Sequence, residues 1–275
     1  MQFNGKKFEL LRYGRITSDN SLPEYLTPDG LPISRVESVR DLGVIVEYTA
    51  SFDTQIDSMC SKARQQAGWV LRTFRCREIK PMLVLYRAMV MPYLEYCSQL
   101  WSPVTIGHIR RLETVQRNYT SKIWEVNNLN YWERLGALQL YSLERRRERY
   151  IILYVFKIIA GVVPNFQNDR FCIKTQTNNR RGKFCSIPPL NNQASARMKT
   201  KVDSSFAVRG PRLFNCLPQK LRNHEGSVDS FKCILDKLLA SVPDKPLLPN
   251  YPRQQAESNS LLHQIAFRLT NDNIV

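Results

Sequence analysis

Apolar side chains step by threes and fours through most of residues 56–158, a period that restricts this part of the chain to packed helices. Ile56, Cys60, Ala63, Ala67, Val70, Leu71 and Phe74 form one stripe, with Lys62, Arg64 and Arg72 off it. A second helix is expected over about 81–96. Pro81 suits its first turn, where a missing N–H costs little, whereas Pro92 predicts a kink or a change of helix. In a third segment, 106–124, Ile109, Leu112, Val115 and Gln116 share a face and Tyr119 and Ile123 follow. A short element spans 131–138. Leu143, Arg147, Tyr150, Ile151, Tyr154, Val155 and Ile158 then keep helical spacing until Gly161 and Pro164. Short connections between so many helices imply a bundle.

The flanks read differently. Residues 1–50 look like short strands and turns, with a strand at Phe8–Tyr13, a turn at Asp29-Gly30 and an apolar run from Val39 to Val46 broken by Asp41 and Gly43. Residues 165–205 are rich in Asn, Arg, Lys and Ser and are expected to be a basic, irregular linker with short strands or partial disorder. Residues 206–240 restore amphipathic order, with a last helix over 228–239 that Ser227 can cap. Residues 241–275 read as a Pro-rich tail with room for a short helix. The expected fold class is therefore mainly α: a helical bundle over 51–164, a small β/loop segment before it, and a partly irregular C-terminal region.

Charge narrows the partner. The formal net charge is +16. By segment it is −1 over residues 1–50, +8 over 51–170, +9 over 171–240 and 0 over the rest. A polyanion such as RNA or DNA fits that field. No run approaches 18 apolar residues, and the N-terminus lacks the order of a signal peptide, so an intracellular protein with no membrane contact is expected, nuclear or cytoplasmic. The seven cysteines form no CxxC pair, and His108, His224 and His263 are widely spaced, so neither a disulfide framework nor a local metal site is expected. Cys60 and Cys97 fall on apolar faces and are expected to be buried. Glu113 and Glu144 lie beside arginines and read as helix-surface ion pairs. The chain has no phosphate-binding glycine loop, no G-x-S-x-G and no H-E-x-x-H.

Several short segments, in a consistent order, carry a family resemblance. They are Phe3-Asn4-Gly5-Lys6-Lys7-Phe8, Arg40-Asp41-Leu42-Gly43-Val44, Leu85-Tyr86-Arg87-Ala88, Tyr93-Leu94-Glu95-Tyr96 and Trp101-Ser102-Pro103. Leu112-Glu113-Thr114-Val115-Gln116-Arg117, Tyr131-Trp132-Glu133-Arg134-Leu135, Leu143-Glu144-Arg145-Arg146-Arg147 and the span from Arg209 to Leu221 follow. This order resembles the end of the palm, the thumb and the tail of a reverse transcriptase from non-LTR, LINE-like retrotransposons, over most of residues 2–240. Two positions depart from the family: Phe8 replaces a cysteine and Phe214 a tryptophan.

The resemblance implies a thumb-like bundle after a palm remnant. Lys7, Leu42 and Gly43 match former palm positions: a lysine near departing pyrophosphate and a turn that positions a primer end. The family holds Mg2+ on an Asp-Asp pair upstream of the Asn-x-x-Lys segment and on a third, earlier aspartate. This chain has no Asp-Asp pair and only two residues before Phe3, so a truncated, catalytically inactive protein needing no cofactor is expected. Residual nucleic-acid binding falls to Arg110, Arg111, Arg117, Lys122, Arg145, Arg146, Arg147 and Arg149, with RNA, DNA or an RNA–DNA hybrid as ligand. A basic groove between the 81–124 and 140–160 helices is the expected surface. Tyr86, Tyr93, Tyr96, Trp101, Leu112, Phe214 and Phe231 are expected to pack the core. The alternative is an inert or domesticated interaction protein that binds a protein partner on its palm-facing surface.

Overall fold

Asp53–Thr73 forms helix α1, and its buried stripe, Ile56, Met59, Cys60, Ala63, Ala67 and Val70, is the floor of the first core. In a computed structural model the protein is described at residues 7–13, 24–165, 173–178, 182–188, 195–246 and 259–265. Segment α2 (Ile79–Leu85) runs through one π-turn, Tyr86–Val90, into α3 (Met91–Glu95). Pro92 accounts for the change of helix. It has no N–H for the carbonyl four residues back, and the Met91 N–H reaches back five residues to the Tyr86 oxygen.

Helices α4 (Ser98–Trp101), α5 (Ile106–Thr120), α6 (Tyr131–Ala137) and α7 (Leu143–Ile159) complete this part. Asn130 and Glu133 close a reciprocal capping box on α6, and the Ser142 hydroxyl caps α7 by accepting from the Arg145 N–H at 3.1 Å. The first core runs from Val44 to Leu143. Tyr86, Trp101 and Leu112 are fully buried in it, as expected. The Tyr119 hydroxyl donates to the Met82 carbonyl at 2.9 Å. Tyr86 donates to the Gln116 side-chain oxygen at 2.7 Å.

Before α1 lie two small pairings. Strand β1 (Glu9–Leu11) runs parallel to β2 (Ser34–Val36), and β3 (Ser38–Asp41) pairs antiparallel with β4 (Val44–Glu47). The two-residue connection in the second pair has φ +45° at Leu42 and +89° at Gly43. Both values are positive, as a type I′ hairpin requires; glycine adopts this freely and leucine does not. The turn expected at Asp29-Gly30 is present, with Gly30 at φ +77° and the Thr27 N–H donating to the Leu31 oxygen.

A second core spans Ile151 to Ile265, so α7 contributes to both. Its other elements are β5 (Thr175–Asn178), β6 (Gly182–Cys185), α8 (Ala196–Ser204), α9 (Phe206–Asn215), α10 (Gln219–Arg222) and α11 (Val228–Ser241). Phe214 and Phe231 are buried there, and Phe231 stacks on Phe156 with ring centroids 3.8 Å apart. The 165–205 stretch is more ordered than its composition suggests, holding an antiparallel hairpin and α8. The hairpin is fixed from outside: the Asn215 amide donates to the Cys185 carbonyl at 2.8 Å and its oxygen accepts from the Cys185 N–H at 2.7 Å. In the tail, Leu261 and Ile265 are buried in the second core. The fold is thus mainly helical with a small β region before the helices.

Candidate nucleic-acid interface

Helix α5 separates its charges by face. Its inward residues are Ile109, Leu112, Glu113, Val115, Gln116, Tyr119 and Thr120. The helix's acid, Glu113, therefore points into the core, while Arg110, Arg111 and Arg117 are exposed. Lys122, just past the helix end, is exposed as well. Arg111 reaches Asp57 of α1 at 2.5 Å, a pair more than half exposed and so of small energetic value. The Arg117 guanidinium lies 4.6 Å from the centre of the Tyr131 ring, which holds it without neutralising it.

Helix α7 behaves in the opposite way, and here the sequence expectation needs correction. Arg145 and Arg147 are buried at 0% and 1% exposure and face no solvent. Arg145 donates to the Val242 and Pro243 carbonyls at 3.3 and 2.9 Å. Arg146 is bound by both oxygens of Glu95. Arg149 forks onto Asp236 at 2.5 and 2.8 Å. Of these, only the Arg146–Glu95 pair bridges the 81–124 and 140–160 helices, where a basic groove was expected; Arg145 and Arg149 are turned toward residues 236–243.

Three carboxylates lie inside with them, which also corrects the surface-ion-pair reading of Glu113 and Glu144. Glu113 accepts from the Tyr131 hydroxyl and, at 3.0 Å, from the Glu144 N–H. Glu144 accepts from the Asn259 N–H at 3.0 Å. Glu148 accepts from Ser260 at 2.6 Å, the Leu261 N–H at 2.7 Å and Arg209 at 3.3 Å. Burial, reinforced by Glu148, pushes the Glu144 carboxyl up to about 7. Burial also raises Glu113 and lowers Arg147. This cluster is a buried ion network in which protein donors hold the carboxylates, while the Arg147 guanidinium nitrogens are buried without a hydrogen-bond partner among the described residues. Among the described residues no group of three or more His, Cys, Asp or Glu side chains is placed to hold a metal ion.

The remaining expected positions are scattered. Lys7 is exposed near the start of the described chain. Leu42 stands 85% exposed at the hairpin tip, and Gly43 lies beneath Tyr96, whose ring carbon is 3.5 Å from where a Cβ would stand. Tyr93 packs partly buried against the first core. Tyr96 is not a core residue: it is 51% exposed and its hydroxyl donates to the Leu42 carbonyl at 2.8 Å. Cys97 is exposed too, at φ +50°. The segment Phe3–Lys6 lies outside the described residues.

Sequence reasoning missed one feature. A cleft of about 260 Å³ opens between α1 and the π-turn, lined by Gln65, Gln66, Trp69, Arg72 and Met89. Its signal was present in Trp69, an aromatic residue off the apolar stripe with basic neighbours on the same helix. Among the described residues no helix is long and apolar enough to cross a membrane.

No family model and no solved structure matches the chain. The uncharacterized protein B0403.1 of Caenorhabditis elegans is 25% identical over 126 residues, 45% of this chain and 64% of that protein. The chain is thus similar to less than two thirds of a relative whose name states no activity.

Proposed function

We propose that this stretch of chain is reverse-transcriptase-like, thumb-like in its helical part, and binds RNA or an RNA–DNA hybrid without itself polymerising. The observation that carries the binding is the charge segregation on α5: its one acid faces inward while its arginines face out. The ordered sequence matches support the family, and the lack of an Asp-Asp pair supports inactivity. Exposed guanidinium and ammonium groups hold phosphates with affinity but little sequence preference. The test is a primer–template hybrid titrated against the wild type and an R110Q/R117Q/K122Q variant. The variant is expected to bind at least about tenfold more weakly with unchanged unfolding, and neither protein to extend the primer with magnesium or manganese. Equal affinities, or extension abolished by mutating one of the chain's own carboxylates, would contradict the proposal.

A second reading rests on exposed apolar side chains of the N-terminal segment. Tyr13, Tyr25, Leu26, Leu31 and Leu42 are each more than half exposed, a pattern that suits contact with a protein partner.

A further inference from the structure

Helix α1 has no acidic residue between Asp57 and Glu78, while Lys62, Arg64 and Arg72 lie on it and Arg75 and Arg77 follow. Arg77 is engaged, donating to the Leu71 and Cys76 carbonyls at 2.5 and 3.2 Å and so closing the helix end. Among the described residues no carboxylate forms a salt bridge with Arg64, Arg72, Arg75 or, on the π-turn, Arg87. Beside Arg72, Trp69 is 44% exposed on the wall of the α1/π-turn cleft, edge-on to Phe74 at 6.1 Å. A large ring left half in water beside an arginine that no described carboxylate pairs is poor design for stability alone. It presents a π-face, while the cleft also offers the amides of Gln65 and Gln66 and the sulfur of Met89.

We infer that this cleft is a stacking site for an unpaired base of single-stranded nucleic acid, with Trp69 as the platform and Arg72 and its basic neighbours holding the flanking phosphates. The inference rests on the nucleic-acid reading above but concerns a different surface from the outer face of α5. Charge complementarity selects the occupant. A protein side chain would fill the apolar wall but leave the arginines unanswered, whereas a nucleotide supplies both a ring and an anion. Stacking on an aromatic face is tolerant of base identity, because every base has a π-face. The amides can donate to and accept from a base edge. The opposite wall is the π-turn that Pro92 imposes, so the same proline that breaks the helix shapes the site.

The experiment compares labelled oligo(U) and oligo(dT) with a duplex of the same length, binding the full chain by fluorescence anisotropy across a salt series. Trp69→Ala is expected to weaken single-strand binding about tenfold with little change in salt slope, because stacking releases no counterions. Trp69→Phe should recover most of the loss. Tyr154→Ala, which removes a 37% exposed ring from α7, should change nothing. Duplex binding should be indifferent to Trp69. If the wild type binds oligonucleotides and Trp69→Ala binds them equally well, the stacking site is wrong while the nucleic-acid reading stands. If no oligonucleotide binds the wild type, both readings fall and the cleft is left to a protein ligand.

Discussion

Glu144 shows how a single residue can report on the buried network. Its carboxyl is pushed up to about 7 by burial and by Glu148, so the folded protein takes up a proton that the unfolded chain does not. The associated stability is complete below the unfolded carboxylate range and is lost as pH rises through about 7. Glu113, also raised by burial, works in the same direction. Glu144→Gln keeps an oxygen for the Asn259 N–H but no longer ionises. Thermal unfolding followed from pH 5 to 8 should therefore show a flatter decline for the variant than for the wild type, and identical slopes would contradict the assignment. Part of this was legible. Arg147 falls on the apolar stripe of its own helix, a signal at odds with its expected phosphate contact and in line with its burial; its neighbour Arg145 gave no such signal. The gathering of Glu113, Glu144 and Glu148 was not legible, because it depends on how α5 crosses α7.

At the scale of elements, the helices were readable wherever an apolar period persisted for three turns or more. Helix α1 follows its stripe from Ile56 to Val70, and the expected break at Pro92 is the π-turn. The C-terminal segment was readable in part: the short helix expected in the tail is present over 261–265, but its docking was not legible, because its partners on α7 are more than 100 residues away. Yet it caps Glu144 and Glu148 and buries Leu261 completely. Leu261→Ala should accordingly cost about 3 kcal/mol, measured by denaturant unfolding. A change within about 0.5 kcal/mol would mean that this segment does not hold the second core. Short strands were expected within 165–205, but their pairing as a hairpin at 175–185 was not legible, because it is fixed by Asn215 from another element.

Over the whole molecule, the fold divides a basic composition into two populations. The arginines of α7 are consumed by Glu95, Asp236, backbone carbonyls and the core, whereas those of α1 and α5 remain largely at the surface. Composition alone counts both populations equally, which is why α7 looked like an interface. The central claim is that the exposed population binds a nucleic-acid backbone, and a salt titration of hybrid binding tests it most directly. The dissociation constant should rise roughly 10- to 100-fold between about 50 and 200 mM salt, as expected for release of a few counterions. Binding that ignores salt, or none at about tens of micromolar protein in low salt, would contradict it.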